Sequence, residues 1–229
     1  MKNKIIICVS FLSLLIVTLS AQAQDSTKVS TPDQKMNSGH FSLNNVSLSV
    51  GYYNPSMNYF NNTFLPAAQT NDRFGGNVIY GGNISFGLPL NLGVRLSAWY
   101  WNNKVSGQNG GAFNSLNVSL TGITLGAFYT LPRSVLGFKP YIGIDGGTLY
   151  IQDKYDANET VIKKSGNDMI WTPFVGLSHG LGNKIIVGLE YGYVLGHYTQ
   201  DVTTSSSLVN AKVPIEGHKI QVSIGYKFP

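Results

Sequence analysis

From His218 to Phe228 apolar and polar side chains alternate without a slip: Ile220, Val222, Ile224, Tyr226 and Phe228 fall on one face of an extended chain, and Lys219, Gln221, Ser223, Gly225 and Lys227 on the other. A period of two held over that length specifies a β-strand and excludes a helix, whose faces recur every 3.6 residues. The pattern returns at about 40–53, 77–88, 92–101, 116–131, 139–151, 169–181 and 184–196, which makes eight strands. The connections between them alternate in length: 54–76, 102–114, 152–168 and 197–217 are long, while 89–91, 132–137 and 182–183 are short. One strand breaks phase. Leu116, Val118 and Leu120 lie on one face and Ile123, Leu125, Ala127 and Tyr129 on the other, which predicts a β-bulge near Thr121–Gly122.

Alternation alone fits a water-soluble sandwich as well as a membrane barrel, so the polar faces decide. They carry mostly Gly, Ser and Asn, and only 12% of all residues are charged, about half the ~25% of ordinary soluble chains. Such faces suit a crowded interior better than a solvated exterior. Aromatics gather at the strand ends, with Tyr52, Tyr80, Tyr100, Tyr150, Trp171 and Tyr193 towards the long connections. Phe86, Tyr129, Tyr226 and Phe228 lie towards the short ones. Two aromatic girdles around an aliphatic band are the outer surface of a strand-built membrane protein. Lipid offers no partner to an unpaired strand edge, so the sheet must close, the last strand pairing with the first near Val46 to Tyr52. The expectation is an all-β, eight-stranded antiparallel up-and-down transmembrane barrel over residues 40–229.

Ahead of it, Lys2 and Lys4, an apolar run over 5–19 and the small-residue site Ala21-Gln22-Ala23 predict a cleaved secretory signal over 1–23. Residues 24–39 are polar and aperiodic and predict a flexible periplasmic lead. The single cysteine, Cys8, leaves with the signal, which excludes disulfides, thiolate metal sites and a thiol nucleophile. Fourteen scattered basic residues then face eleven acidic ones, which is no nucleic-acid footprint.

Arg95, Asp145, Glu190 and Lys219 fall on polar faces, and an eight-stranded interior is just wide enough for side chains to fill it. Buried charges need partners, so Arg95 is expected to pair with Asp145 or Glu190 in a polar network that obstructs a water pore. His197 and His218 flank one long connection, where a shared rim site for a metal or lipopolysaccharide competes with plain interfacial polarity. Catalysis would need a serine converging with a histidine, but neighbours such as Ser178 and His179 point to opposite faces of a strand. No catalytic, cofactor-binding or metal site is assigned.

The terminal Val222-Ser223-Ile224-Gly225-Tyr226-Lys227-Phe228, Pro140-Tyr141-Ile142-Gly143-Ile144 and Gly188-Leu189-Glu190-Tyr191-Gly192-Tyr193 resemble small eight-stranded outer-membrane barrels of the OmpA-barrel, OmpX and OmpW kind, particularly the porin-like barrels of Bacteroidetes-type bacteria. The resemblance covers 41–228. It implies an outer-membrane, non-enzymatic monomer in contact with membrane lipid and lipopolysaccharide, whose final strand, with Tyr226 and Phe228, is read by the barrel-assembly machinery. The expected role is membrane architecture or surface contact, with recognition held in the loops 54–76, 152–168 and 197–217. Passage of small, mainly apolar molecules through a narrow or lateral opening stands as the alternative, and lipid modification as a third class.

Overall fold

The computed structural model describes residues 42–228, apart from 68–69, 108–113, 158–159 and 205–206. The expected signal segment over 1–23, the expected periplasmic lead over 24–39, and His40 lie outside the described residues. Nine antiparallel strands build the sheet: β1 (Ser42–Pro55), β2 (Asn77–Gly87), β3 (Leu92–Ser106), β4 (Ser115–Thr130), β5 (Lys139–Ala157), β6 (Thr160–Leu181), β7 (Ile185–Thr204), β8 (Ser207–Pro214) and β9 (Gly217–Lys227). Both β8 and β9 pair with β7 in one register, His197 facing Pro214 and Val194 facing Gly217, so they are one stave interrupted at Ile215–Glu216. Each strand pairs with its sequence neighbour, and β1 pairs with β9 from Asn45 opposite Lys227 to Pro55 opposite Gly217. The sheet is therefore a closed eight-stave barrel, with the seam where the sequence places it.

The outward face is apolar. Leu48 is 72% exposed and Leu125 66%, in company with Val222, Ile224 and the other alternating aliphatics. Such a surface is tolerable only against lipid. Tyr52, Tyr80, Tyr100, Tyr150 and Trp171 ring its upper edge, towards the long connections, and Tyr129 and Tyr226 its lower edge.

The bulge expected at Thr121–Gly122 is absent. β4 keeps one unbroken register with β3, from Leu92 opposite Tyr129 to Ser106 opposite Ser115, and another with β5. Leu116, Val118 and Leu120 point inward and are buried, while Ile123 and Leu125 point outward. The backbone keeps its phase; the medium on either side of it changes. The register irregularity that does occur lies between Leu43 and Asn45 of β1, at the opposite end of the barrel.

The long connections are correspondingly shorter than the sequence implies. β5, β6 and β7 hold 19, 22 and 20 residues, about twice the ~9–11 needed to cross the bilayer core. Most of 152–168 and 197–217 is thus strand standing beyond the upper girdle. The connection 54–76 is helical over Phe60–Phe64 and Leu65–Ala67 and turns its apolar side down into the barrel. Met57, Phe60, Leu65 and Phe74 join Val105, Leu116, Val118, Ile151, Tyr198, Val213 and Ile215 in one buried core. Thr70 donates to the Ser106 carbonyl at 3.0 Å, and the Ser106 N–H donates to Asp72 at 3.2 Å, tying this segment to the end of β3.

Candidate functional site

Ascending the inner side of β3 come Arg95, Ser97, Trp99, Trp101 and Val105, a passage from polar to apolar. Near the middle of the lumen, Arg95 from β3, Asp145 from β5 and Glu190 from β7 converge, all buried. The Arg95 Nε and Nη2 donate to the two Asp145 oxygens at 2.9 and 2.7 Å. Its Nη1 and Nη2 donate to the two Glu190 oxygens at 2.5 and 3.1 Å. One guanidinium thereby satisfies two carboxylates in the planar forked geometry that arginine alone offers. Its face lies 3.7 Å from the centre of the Phe174 ring, and the Tyr141 hydroxyl donates to Glu190 at 3.3 Å. Lys219 is buried on the adjoining stave, its ammonium 6.0 Å from the Trp99 ring centre.

Local sequence makes this crowding possible. Gly126 stands opposite both Arg95 and Asp145 in the ladders, and a side chain there would overlap the Asp145 carboxylate. Gly122, higher on β4, leaves room for the Trp99 indole. Above it the Trp101 Nε1 donates to the Tyr53 carbonyl at 3.2 Å, and the Tyr53 hydroxyl donates to the Ile215 carbonyl. Both of these polar tips are satisfied by backbone, which is what allows the two rings to border an apolar core.

With an inside-out barrel established, the comparisons with known proteins decide its kind. The family model described as "Outer membrane protein beta-barrel domain" matches residues 10–228. The chain belongs to that family. Nothing among the curated proteins matches it. Among solved structures, this outer-membrane barrel is similar to the outer membrane protein OprG from Pseudomonas aeruginosa at 16% identity and a TM-score of 0.55, covering 83% of this chain and 98% of that one. It is also similar to Neisserial surface protein A, at 13% identity and a TM-score of 0.51 over 82% of this chain and 99% of that one. A major outer membrane protein from Thermus thermophilus aligns at 15% identity and a TM-score of 0.50, over 80% and 99%. At such identities the likeness is one of fold.

The rim histidines of this outer-membrane barrel do not meet. His218 lies opposite Tyr193, and its Nδ1 is 2.6 Å from the Tyr191 hydroxyl. His197 sits further up β7, opposite Pro214, with its Nε2 3.9 Å from Asp168. A strand climbs ~3.4 Å per residue, which separates the two imidazoles into different environments. Among the described residues no group of three or more His, Cys, Asp or Glu could hold a metal ion. Ser178 donates to the Lys139 carbonyl and His179 faces the Gly137 carbonyl, so this pair does not converge. Tyr226 and Phe228 lie edge to face at the lower girdle, 5.0 Å between ring centres.

Three inward contributors carry no assignment in the sequence reading. Tyr141 and Phe174 lie on inward faces and are open to the same alternation argument as Asp145 and Glu190. The lid over 57–74 carries its own signal, since Met57, Phe60 and Phe64 recur at helical spacing inside a stretch that otherwise reads as loop. Beyond the upper girdle, the Tyr198 hydroxyl donates to Asp153 at 3.2 Å. Burial first, and then the neighbouring Asp153 carboxylate, hold the Tyr198 phenol well above its ordinary pKa.

Proposed function

We propose that this chain is a non-enzymatic outer-membrane barrel with an obstructed lumen, serving membrane architecture and surface contact through its projecting upper end. The observation that carries this reading is the Arg95 fork, which ties β3 to both β5 and β7 across the interior. In a low-dielectric interior such a pair is costly to open, because each freed carboxylate would be left buried without its counter-charge. The seated lid and the apolar core above it obstruct the same route a second time. In this orientation the short turns and the N-terminal side of β1 face the periplasm, and β5 to β8 project outside. The contacts expected there are with lipopolysaccharide and other surface partners. The terminal strand with Tyr226 and Phe228 is the segment offered to the assembly machinery, and His197 and His218 serve as interfacial polar groups. Planar-bilayer recordings of the reconstituted barrel test the reading: the expected trace is free of large stable openings. A persistent open conductance would overturn it.

A second reading, passage of small apolar molecules through the wall, draws on one specific feature. Pairing between β6 and β7 stops at Ile170 opposite Gly196, although both strands continue upward. The inner wall beside that split is apolar, with Leu149, Ile151, Ile170 and Val194. Uptake measurements in a deletion strain separate the two readings, since only passage loses an apolar solute when the gene is removed.

A further inference from the structure

Below the Arg95 fork lies a vestibule that opens at the short-turn end, with a cavity of about 90 Å³. Its lining is mostly polar and uncharged: three asparagine amides and five serine or threonine hydroxyls, with two aromatic rings, those of Phe128 and Tyr141, and the aliphatic Ile186 and Val187. The rings stand edge to face with centres 6.2 Å apart. Among the described residues no carboxylate lines the space, and Arg95, the one charged group of theirs that does, already gives four hydrogen bonds to Asp145 and Glu190. The floor is therefore electrically spent, and neither an anion nor a cation gains much by entering. An apolar ligand would strand the amides and hydroxyls without water. Ser85 is set back in the floor: the residue is 3% exposed and its Oγ, with no hydrogen-bond partner, is closed off from the open space.

A ligand that fits must be uncharged, dense in hydroxyl or amide groups, and able to lay a C–H-covered face against the electron-rich face of an aromatic ring. We infer that the vestibule is a binding site for a saccharide ring. Asn45 and Asn83 exchange hydrogen bonds with ring substituents, and Phe128 and Tyr141 supply the apolar contact. In the proposed orientation this end faces the periplasm, where the glycan source would be an N-acetylated cell-wall strand or a free neutral sugar. The site does not depend on what the opposite end of the barrel contacts.

The test is saturation-transfer NMR on the full chain refolded in micelles, with diacetylchitobiose and maltose as separate probes. Ring-proton signals from either sugar support the site, and the stronger of the two names the source. The double substitution Asn83→Leu with Ser85→Leu should fill the floor and weaken binding about tenfold, as for a lost hydrogen-bonding subsite. Retained heat-modifiable electrophoretic mobility would verify that this variant is folded. Should it fail to fold, Ser178→Trp at the mouth of the vestibule is the replacement and should block binding equally. Absence of signal from both sugars, or undiminished signal in a folded variant, would overturn the assignment.

Discussion

The two halves of β4 share one unbroken ladder and differ in what surrounds them. From Ile123 to Tyr129 the apolar side chains point outward and the inward positions are Thr124, Gly126 and Phe128. From Leu116 to Leu120 the apolar side chains point inward and Asn117 and Ser119 point outward. The lower half is an inside-out protein with lipid on its outer face, and the upper half is a water-soluble β-structure with its own hydrophobic core. The apolar stripe crosses the sheet at the upper aromatic girdle while the ladder continues unbroken. A polarity switch in a strand can therefore mark a change of solvent as readily as a slip in register.

Substitutions sharpen this contrast by height and by face. The largest effect is expected at the fork: Arg95→Ala should cost ~3–5 kcal/mol in denaturant unfolding of the refolded barrel, because two carboxylates lose their shared counter-charge. Restoring neutrality with Arg95→Met, Asp145→Asn, Glu190→Gln and Lys219→Met together should recover most of that loss. In the upper half, Phe60→Ala should cost a similar ~3–5 kcal/mol by emptying the core beneath the lid. Ile224→Arg, outward and within the lipid band, should cost ~2–4 kcal/mol. Ser119→Arg, equally outward but above the girdle, should stay within ~0.5 kcal/mol of the parent. Equal costs at positions 224 and 119 would contradict the two-medium account.

A smaller effect tests the upper core through pH. Tyr198 keeps its proton in the folded state at pH values where the unfolded chain releases it, so its contribution is fully present below the unfolded phenol pKa of ~10 and is lost progressively as pH climbs from there through the raised folded value. Tyr198→Phe should cost ~1.5–3 kcal/mol at neutral pH and alter the alkaline limb of stability, read by unfolding midpoints across an alkaline pH series.

Much of this is legible because a strand has only two faces. Once Ile220 to Phe228 meet lipid, the inward parity of Arg95, Asp145, Glu190 and Lys219 follows, and so does the closing of the last strand on the first. Parity says that these charges share an interior; only the register says that Arg95 reaches both carboxylates at once, and that Gly126 stands aside for it. Parity misleads at Thr121–Gly122, because it presumes a single medium along each strand. The projecting strands within 152–168 and 197–217 read as loops for the same reason: their residues are polar where water, not lipid, covers them. The meeting of His197 with His218 fails on register, since flanking one connection does not place two residues at one height.

The most direct measurement is an accessibility scan along β4, with single cysteines from Leu116 to Tyr129 carrying nitroxide labels in reconstituted bilayers; the only native cysteine is Cys8, in the predicted signal segment. Labels at Ile123, Leu125 and Ala127 should be open to dissolved oxygen. Those at Asn117 and Ser119 should be open to a water-borne relaxant, and those at Leu116, Val118 and Leu120 should be shielded from both, with parity unbroken throughout. Oxygen access at Leu116, Val118 and Leu120, with parity reversing at Thr121–Gly122, would contradict the account.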